Sequence, residues 1–376
     1  MGFEAAGYEG AFAFDTDEDS VATYRENLSS EKAQVADARD TERITRLIAG
    51  HVGSEPFVLA GGPPCQGFSQ QGRGEAGDPR NNLVLRFAEL ATELPEKPAA
   101  VVLENVTYLD SERGEKVLAS YLSKLRFAGY TVFRHDLSSA DFGVPQLRRR
   151  IFVVALREGF AEDYEGPEPL TPGRWVTVGE AFSGLPDFSG RENPARPRLP
   201  FLTGHEPSNE GDLNKRRIAF VDMGGGRAWI PEHLQLDCHR GYGGHLDVYG
   251  RLDWFSQART ITGGFDSFTR GEYGHPFLHR SITPREGARL QGFPDWFSFE
   301  GNRASLRSQI GNAVPPPMAY AVAKAVKKTL GEKTSDRKQS EALRPRGQPG
   351  GDDGAKGNEE LGGGRREEPG ELETRV

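Results

Sequence analysis

The chain has 376 residues, 36% of them hydrophobic, and a formal net charge of -8; this suffices for a globular core in one large or two modest domains. No apolar run approaches the roughly 18 residues a membrane span needs, and the N-terminus lacks the basic-then-apolar pattern of a signal peptide, so a cytoplasmic protein without membrane partners is expected. Two cysteines, Cys65 and Cys238, exclude a disulfide framework. With no CxxC spacing, neither they nor His233, His239 and His245 suggest zinc, and no metal site is expected.

Charge is uneven along the chain. Residues 1–144 carry a net -9 and residues 145–330 a net +3, which places any phosphate-facing surface in the second half.

Residues 1 to about 156 alternate apolar runs with amphipathic stretches, the βαβ pattern of a mostly parallel α/β sheet. Strands are predicted at Gly10–Phe14, Phe57–Ala60, Ala99–Leu103, Thr131–Asp136 and Ile151–Leu156. Helices are predicted at Asp19–Leu28, capped by Asp19 or Ser20, and at Asn82–Leu94, limited by Pro95. From about 157 to 258 the sequence turns Pro-rich, Gly-rich and polar, as in Glu192–Arg198 and Gly224–Arg227, and reads as a separate irregular module. Regular signals return at Ala258–Thr262, Pro284–Leu290 and Met318–Lys327. Residues 331–376 hold ten glycines and almost no large apolar side chain, so a disordered tail is expected.

The segment Gly61-Gly62-Pro63-Pro64-Cys65-Gln66-Gly67-Phe68-Ser69 sets a thiol in a rigid turn directly after an apolar strand. A nucleophile there is preorganised, although a free Cys is more often an inert core residue. Three further segments follow in order: Val101-Val102-Leu103-Glu104-Asn105-Val106, Val144-Pro145-Gln146-Leu147-Arg148-Arg149-Arg150-Ile151 and Gln309-Ile310-Gly311-Asn312-Ala313-Val314. Glu104 follows a strand that brings it to the same sheet edge as Cys65. Arg148 and Arg150, two apart, share one side of an extended segment, while Arg149 faces away.

Together the four segments resemble the PCQ, ENV, QxRxR and GN-x-V motifs of the cytosine-5 DNA methyltransferase family, over about residues 2–328. The resemblance implies a doubly wound S-adenosylmethionine-dependent methyltransferase sheet at 1–156 and 259–330, with a target recognition domain inserted at 157–258. It also implies that Cys65 adds to cytosine C6, that Glu104 acts at N3, that Arg150 reaches O2, and that Arg148 supports the same site. It implies as well that Asn105 orders the nucleophile turn and that Gln146 is structural. The donor implied is S-adenosyl-L-methionine, with Asp15 on the ribose hydroxyls and Asp37 on the adenine amino group. Thr16, Ala38, Pro64, Leu83, Asn312 and Val314 complete its pocket, Thr16 standing where many relatives carry a stacking aromatic. The Gly-rich stretch after Cys65 is expected to close over a flipped base, with Gln71 as a candidate to fill the gap, although a solvent-facing Gln is the simpler reading.

The segments Asp247–Leu252 and Ala258–Thr262 look like the family motif that organises the recognition domain, which favours double-stranded DNA as partner. The expected context is a monomer, with a restriction endonuclease acting on the same site. The family's opening strand and F-x-G-x-G turn have no counterpart, since Met1–Tyr8 matches the helix that follows them. The expectation is a late start codon or truncated gene, unpaired strand edges, an open cofactor pocket and impaired transfer. Two other readings stay open: a transfer-RNA methyltransferase of the same family, and a catalytically impaired DNA binder.

Overall fold

The computed structural model describes residues 1–28, 32–53, 56–64, 82–185, 203–241 and 243–342. Cys65, Gln71 and residues 343–376 of the expected tail lie outside them. No described helix is long and apolar enough to cross a membrane.

The chain runs α1 (Gly2–Ala5), β1 (Ala13–Asp15), α2 (Glu18–Asn27), β2 (Ala33–Val35), α3 (Thr41–Val52), β3 (Val58–Gly61), α4 (Asn82–Glu93), β4 (Ala100–Val106), α5 (Glu115–Phe127), β5 (Tyr130–Ser138), β6 (Gln146–Leu147) and β7 (Arg149–Arg157). There follow α6 (Val178–Phe182), α7 (Asp212–Ile218), β8 (Ala258–Arg259), α8 (Pro284–Leu290), α9 (Arg303–Asn312) and α10 (Pro316–Ala342).

Four strands form a sheet in the order β3-β4-β7-β5, with β3 and β4 parallel and β7 antiparallel to both its neighbours. Alternation along these strands sends one set of side chains to each face. Val102, Phe152, Val154 and Leu156 pack on Met318, Val322 and Val326 of α10. Val101, Leu103, Ile151, Val153 and Ala155 pack on Val84 and Ala88 of α4 and on Leu118, Tyr121 and Leu125 of α5. A sheet buried on both faces by helices explains why these strands read as continuous apolar runs.

The parallel pair β1-β2 forms a second, separate sheet. Among the described residues no ladder joins β1 to β3. Instead, every residue from Gly10 to Thr16 and from Phe57 to Pro64 lines one cleft of about 420 Å³ between them, together with Met1 and with Phe3 and Glu4 of α1.

Several elements differ from the sequence expectation. Helix α2 is capped by Asp17, which accepts from the Ser20 amide at 2.7 Å, because Asp19 and Ser20 already lie inside the first turn. Strand β4 continues past Leu103 to Val106, because its pairing with β7 runs on through Glu104↔Phe152 to Val106↔Arg150. Helix α3 buries Ile44, Ile48 and Val52 at four-residue spacing and is capped by Asp40. Helix α10 runs past residue 331 to Ala342.

Between residues 203 and 283 the described chain has little regular structure, and buried arginines supply the donors that a sheet would otherwise provide. Arg251 donates to the carbonyls of Ile218 (3.0 Å), Val221 (2.6 Å) and His275 (2.6 Å). Arg217 donates to the Leu234 carbonyl at 2.7 Å, and Arg227 to those of His239 and His245 at 3.1 and 2.9 Å. A small core of Ile218, Val221, Ile230, Tyr249 and Phe268 lies among them.

Candidate active site

The nucleophile segment leaves β3 through Gly61-Gly62-Pro63-Pro64, and its neighbour β4 brings Glu104 and Asn105 alongside. The Asn105 side chain donates to the Pro63 carbonyl at 3.0 Å and accepts from the Val106 amide at 2.9 Å. One buried side chain thus ties the turn before Cys65 to the end of β4. The Glu104 carboxylate lies against Gly62: a Cβ at 62 would sit 3.1 Å from Glu104 Oε2. A glycine is what allows this approach.

Arg150 Nε stands 3.0 Å from Glu104 Oε1, and the two side chains are only 12% and 13% exposed. The contact is an ion pair rather than an aligned hydrogen bond, since Oε1 has no donor in hydrogen-bond geometry. Burial pushes the Glu104 carboxyl above its ordinary value, with Arg150 and Arg148 pulling the other way. The carboxyl is therefore poised to carry a proton at higher pH than a solvated glutamate.

Arg148 is 2% exposed, and its Nη1 donates to the carbonyls of Ile261 at 3.0 Å and Gly311 at 3.1 Å. Burial, and secondarily Arg150, bring its pKa down to about 9 against the attraction of Glu104 and Tyr273. The two arginines are brought together beside Glu104 with different surroundings, Arg150 at the carboxylate and Arg148 anchored in the protein.

Asp15 ends β1, and Asp37 lies two residues past the end of β2, which runs parallel to it. With Thr16, Ala38, Pro64 and Leu83 they line the cleft between the two sheets. Arg39 clamps Asp37 through Nε contacts of 3.0 and 2.9 Å and holds its carboxyl below the usual range. Asn312 lines an adjoining cleft that shares Asp15 and Tyr24, and its Nδ2 lies 3.3 Å from Ser308 Oγ. Val314 lines neither; it packs against the core beneath α10. Two carboxylates on neighbouring strand ends beside an apolar cleft match the hydroxyls, amino group and ring of an adenosine, so the residues present fit such a cofactor.

Sequence reasoning missed Gln291. It is fully buried, and its amide accepts from Gln146 Nε2 at 2.9 Å while donating to the Ile310 and Ala313 carbonyls at 2.6 and 3.3 Å. A polar residue after the amphipathic stretch of α8 was the only available signal, and it is a weak one.

Helices on both faces of a mixed sheet, with acidic residues at adjacent strand ends, define an α/β fold of the S-adenosylmethionine-dependent methyltransferase type. Structural likeness agrees: a candidate DNA modification methyltransferase encoded within an E. coli prophage superposes with a TM-score of 0.67 at 23% identity, over 88% of this chain and 95% of that one. The S. pombe Dnmt2 methyltransferase does so at 0.57 and 16%, over 88% and 94%.

The chain belongs to the C-5 cytosine-specific DNA methylase family, whose model matches residues 1–328. Among curated relatives, Type II methyltransferase M1.HphI of Haemophilus parahaemolyticus is 33% identical over 87% of this chain and 83% of its own length. Type II methylase M.HgiDII of Herpetosiphon aurantiacus is 32% identical over 73% and 76%. The family implies a cofactor of the S-adenosylmethionine type.

Proposed function

We propose that the protein transfers a methyl group from S-adenosyl-L-methionine to C5 of a cytosine flipped out of double-stranded DNA, as the modification half of a type II restriction-modification pair. The observation that carries this reading is the Glu104 carboxyl, buried against Gly62 and Arg150 beside a turn fixed by Asn105. The names of the type II relatives support DNA as substrate.

In this reading the Cys65 thiolate forms a bond to C6, and the displaced electron pair runs to N3, where Glu104 supplies a proton. Arg150 donates to O2 and, with Glu104, orients the ring. The bound cofactor supplies an electrophilic methyl group to the C5 that this addition has made nucleophilic. Departure of the C5 proton to water then lets the C6–S bond break, returns Cys65 as thiolate and hands the N3 proton back to Glu104. A base inside a duplex is out of reach for these groups, so the target leaves the stack.

Asp15, Asp37, Thr16, Ala38, Pro64 and Leu83 hold the cofactor near the strand ends, with Asn312 arriving beside Asp15 from the far end of the chain. Residues 157–258 read the sequence, and the protein acts as a monomer beside a cognate endonuclease.

The test is transfer of labelled methyl from S-adenosylmethionine to duplex DNA and, separately, to transfer RNA. Label is expected in DNA and is lost in Cys65→Ser, which keeps DNA binding in a mobility-shift assay. Label in RNA alone overturns the DNA assignment, and equal loss of DNA binding in Cys65→Ser overturns the division of roles.

A further inference from the structure

The last turn of helix α9 buries Ile310 and Gly311, and apart from the 3.3 Å bond from the Ala313 amide to Ile310 O its carbonyls need partners from outside the helix. They are met by side chains from two other elements. Gln291, just past α8, donates to Ile310 O at 2.6 Å and to Ala313 O at 3.3 Å, and Arg148 donates to Gly311 O at 3.1 Å. A guanidinium at a helix C-terminus is also favoured by the helix dipole.

The same side chains reach the other way. Gln291 Oε1 accepts from Gln146 Nε2, which also donates to the Leu290 carbonyl at 3.0 Å, while Gln146 Oε1 accepts from the Ile261 amide at 2.8 Å. Arg148 Nη1 completes the ring at the Ile261 carbonyl, 3.0 Å away. Both glutamine amides use their acceptor and their donor group, and neither they nor Arg148 is more than 2% exposed.

This buried knot has two outlets, so side-chain bonds as well as helix packing connect the two sides of the site. One is the short stretch from Gln146 to Arg150, which ends at the Arg150–Glu104 pair. The other is Asn312, the last residue of α9, which faces the cleft beside Asp15. We infer that Gln291 is a positioning residue that fixes Asn312 on the cofactor side relative to Arg150 and Glu104 on the base side, through the shared cap of α9. The inference rests on the methyltransferase reading for what the two sides bind, but the cap itself does not.

The experiment uses the full chain with Gln291→Met, which keeps volume and apolar contact but removes the Gln291 bonds to Ile310 O, Ala313 O and Gln146 Nε2, leaving Ile310 O only the Ala313 amide and Gln146 Nε2 only the Leu290 carbonyl. Hydrogen exchange followed by mass spectrometry is expected to quicken at least tenfold in the segments spanning Ile261 and Asn312–Val314, with α4, α5 and β4 unchanged. Calorimetry with S-adenosylhomocysteine is expected to show about tenfold weaker binding. KM for S-adenosylmethionine rises in step, kcat changes less than threefold, and adding Asn312→Ala weakens binding no further. Unchanged exchange at Asn312–Val314, or an equal quickening across the whole fold, overturns the inference. So does full additivity of the two substitutions. If the unmutated chain binds no S-adenosylhomocysteine, the functional reading fails while exchange still judges the cap. Should Gln291→Met fail to fold, Gln291→Asn, whose amide falls one methylene short of Ile310 O, is read in the same way.

Discussion

At the scale of single residues, the proposed chemistry asks most of Glu104. Its carboxyl is raised by burial even though two arginines oppose the shift. A carboxyl whose folded pKa exceeds its unfolded value stabilises the fold most when both states are protonated, below the ordinary value of 4.5. That contribution is lost as pH rises through the folded pKa, where a charge must be kept in a dry site. Glu104→Gln is therefore expected to abolish methyl transfer yet melt higher than the parent at neutral pH, with the gain shrinking as pH falls toward the ordinary carboxylate range. Calorimetric melts at several pH values check this, and a gain that grows on acidification would refute the raised carboxyl. Asp37 behaves oppositely. The Arg39 hydrogen bonds hold its carboxyl low, and an adenine amino group would share a carboxylate already clamped by a guanidinium. Asp37→Ala is expected to weaken S-adenosylhomocysteine binding about tenfold, read by calorimetry, with little change in melting temperature because an exposed ion pair contributes little.

At the scale of elements, the motif-bearing segments were legible because each carries a local signal. Pro284–Leu290 matches α8 residue for residue, since Thr283 and Glu286 form a capping box ahead of an N1 proline. β2 was not read as a strand, because three residues with one buried side chain give no periodicity. Glu104 was placed just after a strand and lies within one; the ladder to β7 that holds it there is a tertiary fact, invisible in an apolar run ending at Leu103. The knot of Gln146, Arg148 and Gln291 was legible only in part, since all its side-chain bonds but those from Gln291 to Ile310 and Ala313 span 113 to 163 residues. Gly311 shows why that knot is tight: a Cβ there would meet the Thr262 carbonyl carbon at 2.3 Å and the Gly263 nitrogen at 2.4 Å. Backbone cannot step aside as a side chain can, so Gly311→Ala is expected to cost about 1–3 kcal/mol, measured as a lower urea midpoint. An unchanged midpoint would mean that α9 is free to slide off the loop.

At the scale of the whole molecule, the division of the sheet matters most for function. The cofactor-side acids lie at the end of β1 and just past β2, whereas Glu104 lies in β4 and the turn before Cys65 leaves β3, and no described ladder holds one pair of strands against the other. Their relative placement rests in part on α3 and α4 and on a shared apolar cluster of Ala11, Ile44, Ile48, Val52, Phe57 and Leu90. Helix packing without a continuous sheet is the softer constraint, and edges facing a cleft readily take up an added strand. The cleft walls that would flank such a strand are apolar, with Phe12, Phe14, Ile48, Val52, Phe57 and Leu59 among them, and Met1 stands at its lining. Fusing a short extended apolar segment and a Gly-rich turn ahead of Met1 is therefore expected to slow amide exchange at Ala13–Asp15 and Val58–Gly61. It should also raise the melting temperature by several degrees and increase methyl transfer to DNA. Slower exchange without a gain in transfer would show that continuity of the sheet is not what limits the chemistry. Unchanged exchange at both strands would show that the facing edges do not accept a strand, leaving helix packing and the buried Gln146–Arg148–Gln291 bonds to relate the cofactor side to the base side.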